Sequence, residues 1–65
     1  MISSSDYLQY FQQVLAMEIQ MEQTYRQMID ALTNAEYVSI FQRLMEAEQA
    51  HQAEVRAIMK YFEEK

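Results

Sequence analysis

The stretch LTNAEY, Leu32 to Tyr37, divides the chain in two. Before it, from Tyr7 to Leu32, apolar residues recur at three- and four-residue spacing, and they do so again from Tyr37 to Phe62. That is the period of an amphipathic helix. Within the stretch, Thr33 and Glu36 stand at the Ser/Thr-x-x-Glu spacing of a capping box, which opens a helix, and Asn34 tolerates the left-handed conformation in which helices often end. The turn is therefore expected at 33–34. Upstream, Ser3, Ser4 and Ser5 offer N-caps, with Asp6 in the first turn. The predicted elements are one helix over about 6–32 and a second over about 35–63.

Two helices joined this tightly must be antiparallel neighbours. The fold class is thus all-α, with residues 1–65 forming a single two-helix hairpin. The complete lack of Gly and Pro agrees with long uninterrupted helices. A 65-residue chain has little core of its own and no Cys for a disulfide, so a metal or a second subunit is expected to stabilise it. The net charge of -5 argues against nucleic acid or an anionic membrane surface as partner. No basic leader or long apolar run is visible, so a soluble cytoplasmic protein is the expectation.

The apolar stripes are wider than one neighbouring helix can cover. On a wheel of about 100° per residue, those of the first helix span roughly 200°, from Met17 round to Ile19. The surplus implies a second copy, and two hairpins dimerise into a four-helix bundle. The six Met residues suit irregular gaps in such a core.

Polar residues interrupt these stripes at one height. Tyr7, Phe11, Tyr25 and Ile29 lie within about 20° of Glu18 on the wheel, so Glu18 sits in the middle of the first stripe. Glu48 stands likewise among Tyr37, Phe41, Val55 and Met59, and His51 lies about 60° away, toward Leu44 and Ile58. Folding about 33–34 brings Glu18 opposite Gln49 and Ala50, level with the gap between Glu48 and His51. Two carboxylates and one imidazole are expected to meet, buried, near mid-hairpin. A buried carboxylate needs a countercharge, and carboxylate–imidazole ligation without thiolate suits iron or manganese, with zinc also compatible. In a two-fold dimer, four carboxylates would balance two divalent ions.

These residues resemble those of the ferritin-like di-iron carboxylate family, whose site takes one Glu from each of two helices and Glu-x-x-His from each of the other two. LAMEIQMEQTYRQM, Leu15 to Met28, looks like the first helix of a rubrerythrin or ferritin half. FQRLMEAEQAH, Phe41 to His51, looks like the second. A standard domain of this kind holds two such halves in one chain, whereas half-ferritins such as the encapsulated ferritins dimerise around the site. The resemblance implies metal ligation by Glu18, Glu48 and His51, and a dinuclear iron centre shared between two chains of a homodimer or a higher oligomer built on it. It further implies a ferroxidase, in which the same three residues serve catalysis, for iron storage or detoxification. Tyr25 would hydrogen-bond a ligand carboxylate, and Glu22, about 40° from Glu18, would be a further or transient ligand. No cargo-targeting extension follows KYFEEK and no rubredoxin-like cysteine module is present, so neither a protein shell nor an electron-relay partner domain is expected.

Blander readings stand beside these. Buried Glu and His can fix helix register with no metal. Glu22, Arg26 and Asp30, at i, i+4 and i+8, also read as an exposed ion-pair ladder, and Tyr25 as a core aromatic. The alternative function is a small adaptor or chaperone-like protein whose apolar groove accepts a partner helix. Glu18 at the centre of the stripe counts against it.

Overall fold

The computed structural model describes residues 2–64. Two helices, α1 (Ser4–Ala31) and α2 (Ala35–Glu63), form an antiparallel hairpin with extents of 50 × 14 × 14 Å. The all-α architecture expected from the period is what the chain adopts, and no strand occurs among the described residues.

Local chemistry fixes each end. Ser3 caps α1: its Oγ accepts from the Asp6 backbone N–H at 3.2 Å, and the Asp6 carboxylate accepts from the Ser3 N–H at 3.0 Å. These two bonds satisfy donors that a helix start would otherwise leave unpaired. The same Ser3 N–H, followed by the Ser3 hydroxyl, holds the Asp6 carboxyl below its ordinary range. α1 stops where Leu32 turns extended, at φ -91° and ψ 142°, with its N–H on the Ile29 carbonyl.

The connection differs from expectation in one respect. Asn34, not Thr33, caps α2, accepting from the Glu36 and Tyr37 N–H groups at 2.9 and 3.3 Å. Asn34 lies at φ -82° and ψ 117°, so it is extended and not left-handed. A side-chain oxygen one residue nearer the helix reaches both orphan donors, and the Thr33–Glu36 box is not formed.

The residues shielded by the hairpin step alternately by three and four. In α1 they run Leu8, Phe11, Leu15, Glu18, Glu22, Tyr25, Ile29, and at its C-cap Leu32, with Ser4, Val14 and Ile19 half-buried beside them; in α2 they run Val38, Phe41, Met45, Glu48, Gln52, Val55, Met59, Phe62. This is a heptad seam between two helices. Aromatic stacking closes its open end, with Tyr7 and Phe11 at 5.0 and 6.2 Å from Phe62, and Tyr25 meets Phe41 nearer the turn. Val55 is the one apolar side chain among the described residues that counts as buried; the others are Glu48 and Gln52. The best-covered part of the molecule is therefore polar.

The two faces flanking the seam differ sharply. One residue before the seam, α1 presents Tyr7, Tyr10, Val14, Met17, Met21 and Met28, and α2 presents Tyr37, Ile40, Leu44, His51, Ile58 and Tyr61, with Thr24 and Glu54 the polar exceptions. One residue after it stand Gln12, Gln23, Arg26 and Asp30, and Gln42, Glu46, Gln49, Arg56 and Lys60, with Ile19 the large apolar exception. A two-fold normal to the plane of an antiparallel pair exchanges the helices but keeps each face. Both apolar stripes consequently share one side, where Met17, Met21, Leu44 and Ile58 stay exposed.

Candidate metal centre

Glu18 enters the seam from α1, midway along that helix, and Glu48 enters from α2. His51 follows Glu48 by three residues, which places it on the apolar flank of the same turn. Each of the three offers a ligand atom, and these atoms lie within 4.8 Å of one another. His51 Nδ1 is 3.6 Å from Glu18 Oε2 and 3.9 Å from Glu48 Oε2. Both separations are too long for a hydrogen bond. They do suit atoms sharing one ion, since ligands at about 2.1 Å from a metal sit roughly 3–4 Å apart.

Covered oxygens without donors are the chemical peculiarity here. Glu18 Oε2 and Glu48 Oε2 are both shut off from solvent and neither has a hydrogen-bond partner. A polar network built only for structure would satisfy them, because a buried acceptor left unpaired costs roughly 1–3 kcal/mol. These donor atoms fit a divalent cation, two anionic oxygens and one imidazole nitrogen converging from one side.

Burial across the cluster is uneven. Glu48 is buried, the Glu18 side chain is 21% exposed and that of His51 is 53% exposed. The buried imidazole expected from the wheel is thus corrected: His51 lies at the rim, on the apolar face, because one hairpin covers the seam but not its flank.

Glu22 is also relocated. Its pair with Arg26 forms at 3.0 Å, but the side chain is only 17% exposed, it faces the seam, and no bond to Asp30 extends a ladder. Its Oε2 accepts from Gln49 Nε2 at 3.0 Å and its Oε1 from Gln52 Nε2 at 2.8 Å. These amide bonds, Gln49 first and Gln52 second, hold its carboxyl below the usual carboxylate range, with a smaller contribution from Arg26. Glu18 does lie level with Glu48 and His51, as the fold about 33–34 requires, but the Gln49 side chain reaches on to Glu22 instead of stopping at Glu18. Gln49 and Gln52 were invisible to a search for ionisable groups, though position 52 continues the three-four count of the seam through 45, 48 and 55. The Tyr25 ring packs against Phe41 at 6.0 Å, and its hydroxyl donates to no ligand carboxylate among the described residues.

A second concavity, of about 420 Å³, lies at the start of α1 between Ile2, Asp6, Tyr7, Tyr10 and Phe11. It is an open aromatic notch in which Asp6 is already bound to Ser3, and it shares no residue with the cluster. No helix of the described residues is long and apolar enough to cross a membrane.

A helical hairpin that brings one carboxylate from the first helix to a Glu-x-x-His turn on the second defines a ferritin-like class of protein. The family model of rubrerythrin matches residues 1–59, and the chain belongs to the rubrerythrin family. That family is one of ferritin-like di-iron proteins, so metal binding is the activity with which membership agrees. Comparison with curated proteins and with solved structures found no match.

Proposed function

We propose that the chain is a half-ferritin-like ferroxidase: two copies pair through their apolar faces, and Glu18, Glu48 and His51 of each hold iron at the interface. The observation that carries this reading is the pair of covered, unpartnered oxygens, Glu18 Oε2 and Glu48 Oε2. With them His51 completes a set of oxygen and nitrogen donors suited to iron, with manganese or zinc as the compatible substitutes.

The apolar face supports the pairing. A face of 50 by 14 Å offers roughly 700 Å², close to the ~800 Å² each partner contributes to a standard interface. His51 opens onto that same face, so a second copy would bring its own three ligands to the first. Four carboxylates then offset the charge of two divalent ions.

In the reaction Fe(II) is the substrate. Each of two Fe(II) ions gives up one electron, and dioxygen or peroxide accepts the pair. The chain's own part is to bind and orient: Glu18 and Glu48 supply negative charge that favours Fe(III) over Fe(II), His51 terminates one iron per chain, and the apolar face excludes water once covered. Glu22 is fully engaged by Gln49, Gln52 and Arg26, so three residues per chain, not four, are the proposed ligands.

The test is sedimentation of the metal-free protein with and without anaerobic Fe(II), for wild type and Glu48→Ala. About one iron per chain, with a dimer that tightens in wild type alone, is the expected result, followed by oxygen uptake on exposure to air. Iron that changes neither mass nor stability would remove the proposal. The exposed apolar face would then favour the adaptor reading, in which a partner helix covers it and chelators have no effect.

A further inference from the structure

Glu22 stands apart from the other two seam carboxylates. Glu18 Oε2 and Glu48 Oε2 have no donor, whereas both oxygens of Glu22 are occupied, one by Gln52 and the other by Gln49 and Arg26. In the middle of the hairpin, both side-chain hydrogen bonds that join the helices end on Glu22. Glu22 is one turn from Glu18 in α1, and Gln52 is one turn from Glu48 in α2, so these bonds tie together the turns adjoining the ligands. Gln52 is among the most covered residues of the chain, 6% exposed.

The capped connection and the rings of Phe41 and Phe62 hold the two ends of the seam. Between them its apolar positions repeat by heptads, and Met45 adapts readily to different neighbours. A local shift or rotation of one helix at mid-hairpin would still put apolar side chains against apolar ones. Without metal, two unpartnered carboxylates favour drawing apart. Something must hold them together, and a buried polar pair is the best-attested device for choosing one register among several.

We infer that Glu22, Gln49 and Gln52 form a register lock, with Glu22 a positioning residue that keeps Glu18, Glu48 and His51 converged before metal binds. This rests on the metal-site reading above. Glu22 acts through the helices and touches no iron: its oxygens are turned to amides and a guanidinium, which also keeps a third carboxylate of each chain out of the ligand set.

The experiment uses Co(II) as probe, read by calorimetric titration and by its visible absorption bands, together with thermal unfolding of the metal-free protein. The key variant is Glu22→Leu/Gln52→Leu, which replaces the lock by apolar side chains and keeps the seam filled. Such replacement commonly leaves helical cores as stable or more so. The expected outcome is an unfolding temperature no lower than wild type, with Co(II) affinity at least tenfold weaker and altered bands. A purely structural role would move affinity only in step with stability. Glu22→Gln keeps an acceptor for a glutamine amide and is expected to hold affinity within threefold of wild type. A tenfold loss in Glu22→Gln would make the residue a ligand and overturn the inference, as would a double variant that binds Co(II) within twofold of wild type with unchanged bands. If the double variant does not fold, Glu22→Met/Gln52→Met, which removes both partners with unbranched side chains of similar length, carries the same expectation of weakened affinity at unchanged stability. Glu48→Ala separates the two readings. If it abolishes binding, the site stands whatever becomes of the lock; if it binds Co(II) as wild type does, or wild type binds none, the site reading falls and the lock with it.

Discussion

Replacing Glu48 by leucine should make the metal-free protein more stable and the metal-loaded one less so. Glu48 is 7% exposed and its Oε2 has no hydrogen-bond partner. Leaving a buried acceptor unpaired costs roughly 1–3 kcal/mol, and Glu48→Leu removes that cost while filling similar space. For a domain of this size each kcal/mol moves the unfolding midpoint by roughly 4–8 °C, so a rise of at least about 4 °C is expected with chelator present. Anaerobic Fe(II) reverses the order. Ligand at a hundred times its dissociation constant stabilises wild type by about 2.7 kcal/mol, and the variant, short of one ligand, gains little. Calorimetric or circular-dichroism melts at one fixed protein concentration, with chelator and with Fe(II), measure both halves, since a dimer's midpoint moves with concentration. A variant that melts lower than wild type in chelator would refute the reasoning: Glu48 would then be stabilising the hairpin by itself, as a member of a structural network.

Three further outcomes can be checked on the same material. Asn34→Ala should cost about 1 kcal/mol in urea unfolding and Thr33→Ala less than about 0.5, because Asn34 alone makes the cap; equal losses would restore the Thr33–Glu36 box. The Glu22 carboxyl is depressed in the folded state, so its contribution is complete above the unfolded glutamate range and disappears as pH falls through the lower, folded value. Melting temperature should therefore drop less steeply below about pH 4.5 in Glu22→Gln than in wild type, and parallel curves would contradict the hydrogen bonding seen. Leu44→Glu places a charge on the apolar face, where Leu44 is 40% exposed in a single hairpin. It should weaken self-association by about 2 kcal/mol or more, roughly 30-fold, and an unchanged sedimentation profile would show that this face is not the contact.

The helices and the meeting of Glu18, Glu48 and His51 were legible in the sequence for a common reason: both depend on spacing. Glu18 and Glu48 interrupt runs of apolar residues with a helical period, and a period survives ignorance of the partner helix. The details that escaped depend on distances smaller than a turn. Thr33 and Asn34 are both capping residues by type, and which of them caps depends on where the first turn of α2 begins, a matter of one residue. Glu22 satisfies an i, i+4 pairing with Arg26, so a local explanation sufficed and the glutamines across the seam went unsought. His51 was placed inward because a wheel assigns an angle, not an amount of cover, and a residue about 60° from the seam is buried only when a further element lies over it.

That last point ties stability to function. A hairpin whose best-covered side chains are Glu48, Gln52 and Val55 has placed polar groups where a small protein most needs apolar ones. Its remaining apolar surface, Met17, Met21, Leu44 and Ile58 among it, is on the flank that also carries His51. An adaptor groove would make use of the flank but leave Glu18 Oε2 and Glu48 Oε2 unpaired, and a metal bound to one chain would relieve the oxygens but leave the flank open. A second copy with metal between the two meets both needs at once. On that reading the carboxylates weaken the single chain by the same unmet interactions that draw iron and a partner to it.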